Sequence, residues 1–208
     1  VAVEMKAELG IVTCKNVLGY LEGEDLKEEL IVISAHLDHL GKRGGKIYYG
    51  ADDDGSGISS ILNMAEAFAI AKREGNGPRR SILFIAFSGE EKGLPGSEHY
   101  TDKPVFPLEK TVANLNIDMI GRVDTVKRDS KYYTYLIGSD KLSKELHSIN
   151  EKANGSCCQL ELDYKYNDPS DKLKLYYRSD HYNFAKNNIP VIFYFTGLHE
   201  DYHKPTDT

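Results

Sequence analysis

Hydrophobic residues along this chain are concentrated in short apolar runs that are separated by amphipathic or polar stretches. The clearest run covers residues 30–35, and similar runs lie at 82–87, 112–117, 191–195 and within 132–140. Runs of this length with little polar alternation are typical of strands that are covered on both faces of a sheet. We therefore predict five buried strands.

Helical patterns occur between these runs. Apolar residues recur at helical spacing over 56–73, which predicts a helix with Asp54 or Ser56 as its N-cap. A second helix is predicted over 140–153, and a short one within "SDHYNFAKNN" at 179–188.

The first part of the chain has a different pattern, because apolar and polar residues alternate there. This alternation predicts two antiparallel strands over 1–9 and 11–22, with Gly10 as the break. Buried strands that alternate with helices predict an α/β fold: a mostly parallel, mixed and twisted sheet with helices on both faces and antiparallel edge strands. No long linker divides the chain, so we predict a single domain over 1–208.

Composition and charge narrow the classes of partner. The net charge is −6 and there is no Lys/Arg-rich block, so nucleic acid is not expected as a partner. No apolar stretch has the length of a transmembrane helix.

The three cysteines, Cys14, Cys157 and Cys158, do not form a disulfide framework. A disulfide to Cys14 and free thiols are both possible. Because the chain starts at Val1 rather than Met, we expect it to be a trimmed or processed piece of a longer chain.

Acidic residues and histidines collect directly after the predicted buried strands. In an open α/β sheet these strand ends meet at one edge, where ligands bind. Mixed imidazoles and carboxylates are the ligands of zinc and related divalent ions. The strand ends and the loop before the first helix contribute His36, Asp38, His39, Asp52, Asp53, Asp54, Glu90, Glu91, Asp118, His199, Glu200, Asp201 and His203. We expect at least one of the three consecutive aspartates to face a cation, whereas Asp52 and Asp54 taken singly are more typical of helix caps.

Six motifs occur in order between residues 31 and 208: "AHLDH", "GADDDGSG", "SGEEKGLPGS", "NIDMIGR", "SDHYNF" and "DYHKPTDT". Together they resemble the M28 family of co-catalytic zinc aminopeptidases. The resemblance implies a zinc-peptidase or phosphorylase/hydrolase-like sandwich fold. It also implies a secreted, periplasmic or cell-envelope location, and it does not indicate an oligomeric state.

The resemblance implies two zinc ions per chain, replaceable by cobalt or another divalent ion, with a bridging water as the nucleophile. His36 and Asp118 would bind one zinc, Glu91 and His203 would bind the other, and Asp53 would bridge both. Two such metals polarise a carbonyl and generate hydroxide at neutral pH.

Further roles follow from the same resemblance. Glu90 would be the general base, Asp38 would orient the ring of His36, and Tyr176 would steady the oxyanion. His199 is a rival to His203 as a ligand. Asp180 and His181 are expected in the wall of the site, and a wider set is expected to line the pocket: His39, Tyr48, Tyr49 and Arg178.

The resemblance predicts an aminopeptidase that hydrolyses the N-terminal peptide bond of peptides with a free N-terminus. The alternatives are a glutaminyl cyclase, a carboxypeptidase or a dipeptidase on the same scaffold, and a receptor-like domain without catalysis. An aminopeptidase must accept an α-ammonium group, whereas a carboxypeptidase needs a cation for the substrate carboxylate, with Arg122 and Arg178 as the candidates.

Overall fold

The computed structural model describes residues 13–129 and 132–208. The strands of the described residues are β1 (Val17–Leu21), β2 (Leu26–His36), β3 (Gly41–Arg43), β4 (Lys46–Tyr48), β5 (Arg80–Phe87), β6 (Thr111–Ile117), β7 (Tyr133–Ile137), β8 (Glu161–Asp163) and β9 (Val191–Phe195). The α-helices are α1 (Gly55–Arg73), α2 (Pro95–Asp102), α3 (Lys144–Cys157) and α4 (His181–Ala185). The predicted strand over 1–9 and the start of the one over 11–22 lie outside the described residues.

Seven strands form one mixed sheet in the order β1-β5-β2-β6-β9-β7-β8. The central strands β5, β2, β6 and β9 are mutually parallel, whereas β1 runs antiparallel to β5 at one edge. All five predicted buried strands are present, and the predicted α/β class with an antiparallel edge strand is confirmed. The remaining two strands, β3 and β4, pair as a separate hairpin.

Helices cover both faces of the sheet because neighbouring residues of a strand point to opposite sides. On one face, Ile33 of β2 packs in a cluster with Ile61 of α1. On the other face, Val32 packs in a cluster that includes Tyr100 of α2 and Phe184 of α4. Burial of such side chains contributes roughly 1.5–3 kcal/mol each, so both helical layers are held to the same strands.

The strand β7 is inverted relative to its neighbour in the sheet. It pairs antiparallel with β9, through Tyr135 and Phe195 among other residue pairs, and parallel with β8. The carboxyl end of β7 therefore lies at the opposite edge of the sheet from the ends of β2, β5, β6 and β9. The residues directly after Ile137, the end of β7, therefore begin at the edge opposite the site.

Several local elements differ from the sequence predictions. The helix predicted over 140–153 begins later, at Lys144, because the Ser143 hydroxyl accepts a hydrogen bond from the Leu146 amide and acts as N-cap. The glycine-rich loop that follows β2 contains the β3–β4 hairpin, and α2 and β8 were not predicted. These elements are only three to eight residues long, so they show too few periods of a hydrophobic pattern to be recognised.

No helix in the described part of the chain is long and apolar enough to cross a lipid bilayer.

Candidate metal centre

Parallel pairing brings the predicted site residues together at one edge of the sheet. β5, β2 and β6 are neighbours, so the residues after them, Glu90 with Glu91, His36 and Asp118, are neighbours as well. Beside β6, β9 leads into the loop that carries His203.

The three consecutive aspartates divide their roles. Asp54 is the N-cap of α1: it accepts a hydrogen bond from the Gly57 amide at 3.0 Å, and further ones from the His36 and Met119 amides, both at 3.1 Å. Asp52 does not cap the helix, contrary to the interpretation favoured for it alone. Its carboxylate accepts the Gly121 amide at 2.6 Å and lies 3.2 Å from His199 Nε2.

Asp53 is the aspartate whose carboxylate faces the imidazoles of two separate groups. Its Oδ1 lies 3.1 Å from His36 Nε2, and its Oδ2 lies 3.1 Å from His203 Nε2. Burial opposes ionisation of this carboxyl, but the contacts with His203 and His36 outweigh burial and lower its pKa. A buried carboxylate with one oxygen toward each group is placed as a bridge between two cations would be.

The first group consists of His36, Asp53 and Asp118, all buried. His36 Nε2 lies 3.5 Å from Asp118 Oδ1 and has no hydrogen-bond partner among the described residues. Zinc–ligand bonds of about 2.0–2.2 Å place tetrahedral donor atoms about 3.3–3.6 Å apart, so these spacings suit a zinc ion. The second oxygen of Asp118 accepts a hydrogen bond from Ser179 Oγ at 2.7 Å, which holds the carboxylate in place.

The second group contains Asp53, Glu91 and two histidines. His203 Nε2 lies 3.3 Å from Glu91 Oε2, and His39 Nδ1 lies 2.8 Å from Glu91 Oε1. Contacts with Asp53 and then Glu91 raise the pKa of His203 to about 9. Burial opposes ionisation of Glu91, but the contact with His203 outweighs it, and the pKa falls to about 2. The donor set again fits a zinc ion.

His199, the rival ligand, lies elsewhere. Its Nε2 faces Asp52 rather than Asp53, and its Nδ1 accepts a hydrogen bond from the Asp201 amide at 3.2 Å. His203 therefore contacts Asp53 of the candidate metal groups, whereas His199 contacts Asp52 of the aspartate loop.

Glu90 lies beside both groups but belongs to neither. It lines the same cavity as Asp53, Glu91 and Asp118. Burial, reinforced by the negative charge of Asp118, raises the pKa of Glu90 to about 9. A buried carboxyl group with a strongly raised pKa, set apart from the ligand atoms, is typical of a group that transfers protons.

Asp38 supports the site in a different way from the predicted one. The Nδ1 atom of His36 lies 2.9 Å from the Asp38 backbone carbonyl and 3.9 Å from its carboxylate. The carboxylate instead accepts the amides of Gly89 and Glu90, at 2.7 and 3.0 Å, and that of Glu91 at 3.3 Å. Asp38 thus orients the ring through its carbonyl and holds the Glu90–Glu91 turn through its side chain.

A cavity of about 510 Å³ opens onto the two groups. Its apolar lining includes Leu94, Met119, Leu175, Phe193, Phe195 and Leu198, and its lining also includes Tyr177, Arg178, Tyr182, Lys186 and Tyr202. Of the four residues expected to line the pocket, Arg178 does so, whereas His39, Tyr48 and Tyr49 are not among the lining residues.

Tyr176 is not among the residues that line this cavity. Its partly buried ring packs edge-on against His181 and Tyr182, with centroids 5.7 and 6.0 Å away. The oxyanion role predicted for it therefore has no support from its position. Tyr202 lies in the cavity wall, with its ring stacked on His203 at 3.9 Å.

Asp180 and His181, expected in the wall of the site, are not among the residues that line the cavity. Asp180 is buried and accepts a hydrogen bond from Ser97 Oγ at 2.5 Å. The ring of His181 stacks on Phe193 at 4.7 Å, and its Nε2 lies 2.8 Å from the Tyr176 carbonyl.

Asp207 is a site residue that sequence reasoning missed. This fully buried carboxylate accepts the Asp52 amide at 3.0 Å and the Asp53 amide at 3.2 Å. An aspartate among the polar residues of "KPTDT" gives no sign of burial, so the pattern alone could not reveal it.

A family model described as peptidase family M28 matches residues 16–208. The chain belongs to peptidase family M28. Among curated M28 relatives, the aminopeptidase YwaD of Bacillus subtilis is 33% identical over 111 residues, which is 52% of this chain and 22% of that protein.

Solved structures place the M28 chain among zinc aminopeptidases in fold. The zinc aminopeptidase BSAP of Bacillus subtilis matches with a TM-score of 0.69 and 26% identity, over 93% of this chain and 44% of that one. The LapA aminopeptidase of Legionella pneumophila matches with a TM-score of 0.70 and 26% identity, over 93% and 48%. A glutaminyl cyclase of Porphyromonas gingivalis has a TM-score of 0.67 at 18% identity, over 93% and 69%, and shares the fold. The chain spans 22% of the length of YwaD and less than half of either solved aminopeptidase.

Proposed function

We propose that this chain is the catalytic domain of a dizinc aminopeptidase that removes N-terminal residues from peptides. The observation that carries the proposal is the placement of Asp53, with one carboxylate oxygen toward His36 and the other toward His203. Its family membership and its likeness to zinc aminopeptidases support the same activity.

The residues present fit two zinc ions. His36 and Asp118 would hold one, Glu91 and His203 the other, and Asp53 would be shared. Zinc bound there would polarise the substrate carbonyl and make a water molecule nucleophilic at neutral pH. Removal of the ions would leave several buried carboxylates without a compensating charge.

Glu90 would move the proton. Its carboxylate takes a proton from the attacking water as the new C–O bond forms, and the C–N bond then breaks as that proton passes to the leaving amine. Burial and the charge of Asp118 raise the pKa of Glu90 in the metal-free site, and the positive charge of two bound ions would lower it and leave the carboxylate ionised to accept the proton. Because Asp38 holds the amides of Gly89 and Glu90, the Glu90 backbone is fixed relative to His36.

The charges around the cavity favour a substrate N-terminus. Four carboxyl groups line the cavity, those of Asp53, Glu90, Glu91 and Asp118, and their negative charge favours an α-ammonium group. Arg122, a candidate for carboxylate recognition, pairs instead with Asp201 at 2.8 Å and does not line this cavity.

Arg178 supports the alternative interpretation, a carboxypeptidase, because its side chain could bind a substrate carboxylate. It lines the cavity, where it donates a hydrogen bond to the Tyr202 hydroxyl at 3.0 Å. Two relatives named probable glutamate carboxypeptidases, from Zea mays and Arabidopsis thaliana, are each 30% identical over about half of this chain. The two readings differ in which peptide terminus must be free.

Matched peptides with a free, N-acetylated or C-amidated terminus test the proposal. We expect N-acetylation to abolish cleavage and C-amidation to leave it nearly unchanged, with mass spectrometry showing residues lost in order from the N-terminus. Residues lost from the C-terminus, or cleavage that survives acetylation, would contradict the aminopeptidase assignment. Release of ammonia with a cyclised N-terminal glutamine would indicate a glutaminyl cyclase instead.

A further inference from the structure

His39 is a buried imidazole beside the second metal group that the assignment above leaves without a role. Its side chain is 7% exposed. Its Nδ1 lies 2.8 Å from Glu91 Oε1 and 3.8 Å from Asp53 Oδ2.

Neither ring nitrogen of His39 has a hydrogen-bond partner among the described residues. The distance from Nδ1 to Glu91 Oε1 is short enough for a hydrogen bond, but the direction of the ring N–H misses that oxygen. His36 Nε2, in the first group, shares this property. Because unsatisfied buried polar atoms are rare and costly, a nitrogen aimed between two carboxylates indicates a missing positive partner.

The backbone around His39 keeps its ring in this position. Gly50 has φ +64°, and a Cβ atom built on it would lie 2.5 Å from His39 Cγ. Only glycine at position 50 leaves room for the imidazole, so Gly50 allows the His39 ring to lie close to Asp53.

We propose that His39 is a ligand of the second metal ion through Nδ1, together with Asp53, Glu91 and His203. The ligand atoms of His39, Asp53 and Glu91 all lie within 4.8 Å of one another, which a single ion can span. The second position then has two imidazoles and two carboxylates, whereas the first has one imidazole, that of His36. The two positions are therefore unequal, and loss of His39 weakens only one of them.

The inference rests on the proposed dizinc function and is tested by zinc binding rather than by activity. Zinc per chain is measured for the wild type, His39→Ala and His39→Gln in buffers of fixed free zinc concentration. His147→Ala is the matched control, since its imidazole is bound to Ser139 Oγ at 2.9 Å, away from the centre. The visible spectrum of the cobalt-loaded protein gives a second readout of the ligand set.

We expect both His39 variants to weaken one of two zinc equivalents by at least about tenfold, a typical lower limit for damage to a metal site. The other equivalent and the His147→Ala control should match the wild type. The cobalt spectrum should change for one ion only.

Three outcomes would overturn the proposal. Unchanged binding by His39→Ala would remove His39 from the site. Retention of both ions by His39→Gln would assign it a hydrogen-bonding role, because the glutamine amide can still donate to Glu91. Equal weakening of both ions would place the effect at Asp53 and not at the second position.

The proposed function is tested separately by the wild type alone. A wild-type chain that binds a single zinc ion would contradict the dizinc function, and the inference would then survive only if His39→Ala weakened that ion. If His39→Ala fails to fold by circular dichroism, His39→Gln, which is closer in volume, decides.

Discussion

At the scale of single residues, neighbouring carboxylates in this chain acquire opposite proton affinities. Glu90 and Glu91 are adjacent in sequence, yet burial raises the pKa of Glu90 to about 9, whereas His203 lowers that of Glu91 to about 2 despite burial. The 3₁₀ turn that they begin points the two side chains to different surroundings. Opposed pKa shifts in one cavity are typical of a division between proton transfer and charge binding.

Replacement of Glu90 by glutamine tests this division. We expect Glu90→Gln to lower kcat by about 10²–10⁴-fold, because the amide cannot accept the proton of water. Zinc content, measured by mass spectrometry of the metals, should stay at the wild-type value. Glu98→Gln is a suitable control, since Glu98 lines the same cavity but pairs with Lys186 at 3.2 Å. Loss of zinc from Glu90→Gln, or turnover near that of the wild type, would show that Glu90 is not the base.

At the scale of elements, the short helix α4 is attached to the sheet through its first residue. The ring of His181 stacks on Phe193 of β9 and contacts the Tyr176 carbonyl, and complete burial lowers its pKa to about 3. The same helix follows Ser179, which holds Asp118. The docking of α4 therefore determines the position of a predicted metal ligand.

His181 makes the folding stability of the protein depend on pH. An unfolded histidine has a pKa of about 6.5, so between this value and about 3 the unfolded chain binds a proton that folded His181 does not. Folding stability from His181 is therefore full above pH 6.5 and is lost as the pH falls toward 3. His181→Gln should flatten the acid side of the stability curve of the metal-free protein by up to about 1.4 kcal/mol per pH unit.

Urea unfolding at several pH values checks this prediction. His147→Gln, in α3 and half-buried, is the control and should keep the wild-type slope. If the free energy of unfolding of His181→Gln changes with pH as steeply as that of the wild type, the buried neutral ring does not cause the loss of stability in acid.

At the scale of the whole molecule, the last residues of the described chain hold the aspartate loop. Asp207 accepts the amides of Asp52 and Asp53, which are 155 and 154 residues away in sequence. Arg122, in the segment after β6, lies 3.8 Å from the Asp207 carboxylate. Asp53, the proposed bridge, is thus positioned by a contact between distant parts of the sequence.

Asp207→Asn tests this long-range support. Its amide group can accept only through one oxygen, so the loop should lose part of its restraint, and the affinity for both zinc ions should fall by about 10–100-fold. Both ions should weaken together, since Asp53 contacts both groups. Asp201→Asn is the matched control, because Asp201 pairs with the same Arg122 but does not contact the loop amides. Unchanged zinc affinity in Asp207→Asn would show that the loop holds Asp53 without this residue.

Much of the framework could be predicted from the sequence. The apolar runs located β2, β5, β6, β7 and β9, and helical spacing located α1, because burial on one or both faces leaves a periodic record in neighbouring residues. The same reasoning placed acids and histidines at the carboxyl ends of parallel strands. The resemblance to M28 peptidases, rather than the motif "SGEE" alone, implied divided roles for Glu90 and Glu91.

The tertiary structure alone decided which side chain meets which. Local pattern made Asp54 a cap candidate and the family resemblance implied Asp53 as the bridge, but the contacts themselves, of Asp54 with α1, Asp52 with His199 and Asp53 with the two groups, come from packing. Packing likewise determines that β7 runs antiparallel to β9 and that Tyr176 does not line the cavity. It also places His39 in contact with Glu91. Hydrophobic periodicity records local burial, whereas the direction of a polar side chain depends on contacts with residues far along the chain, and no local pattern encodes those.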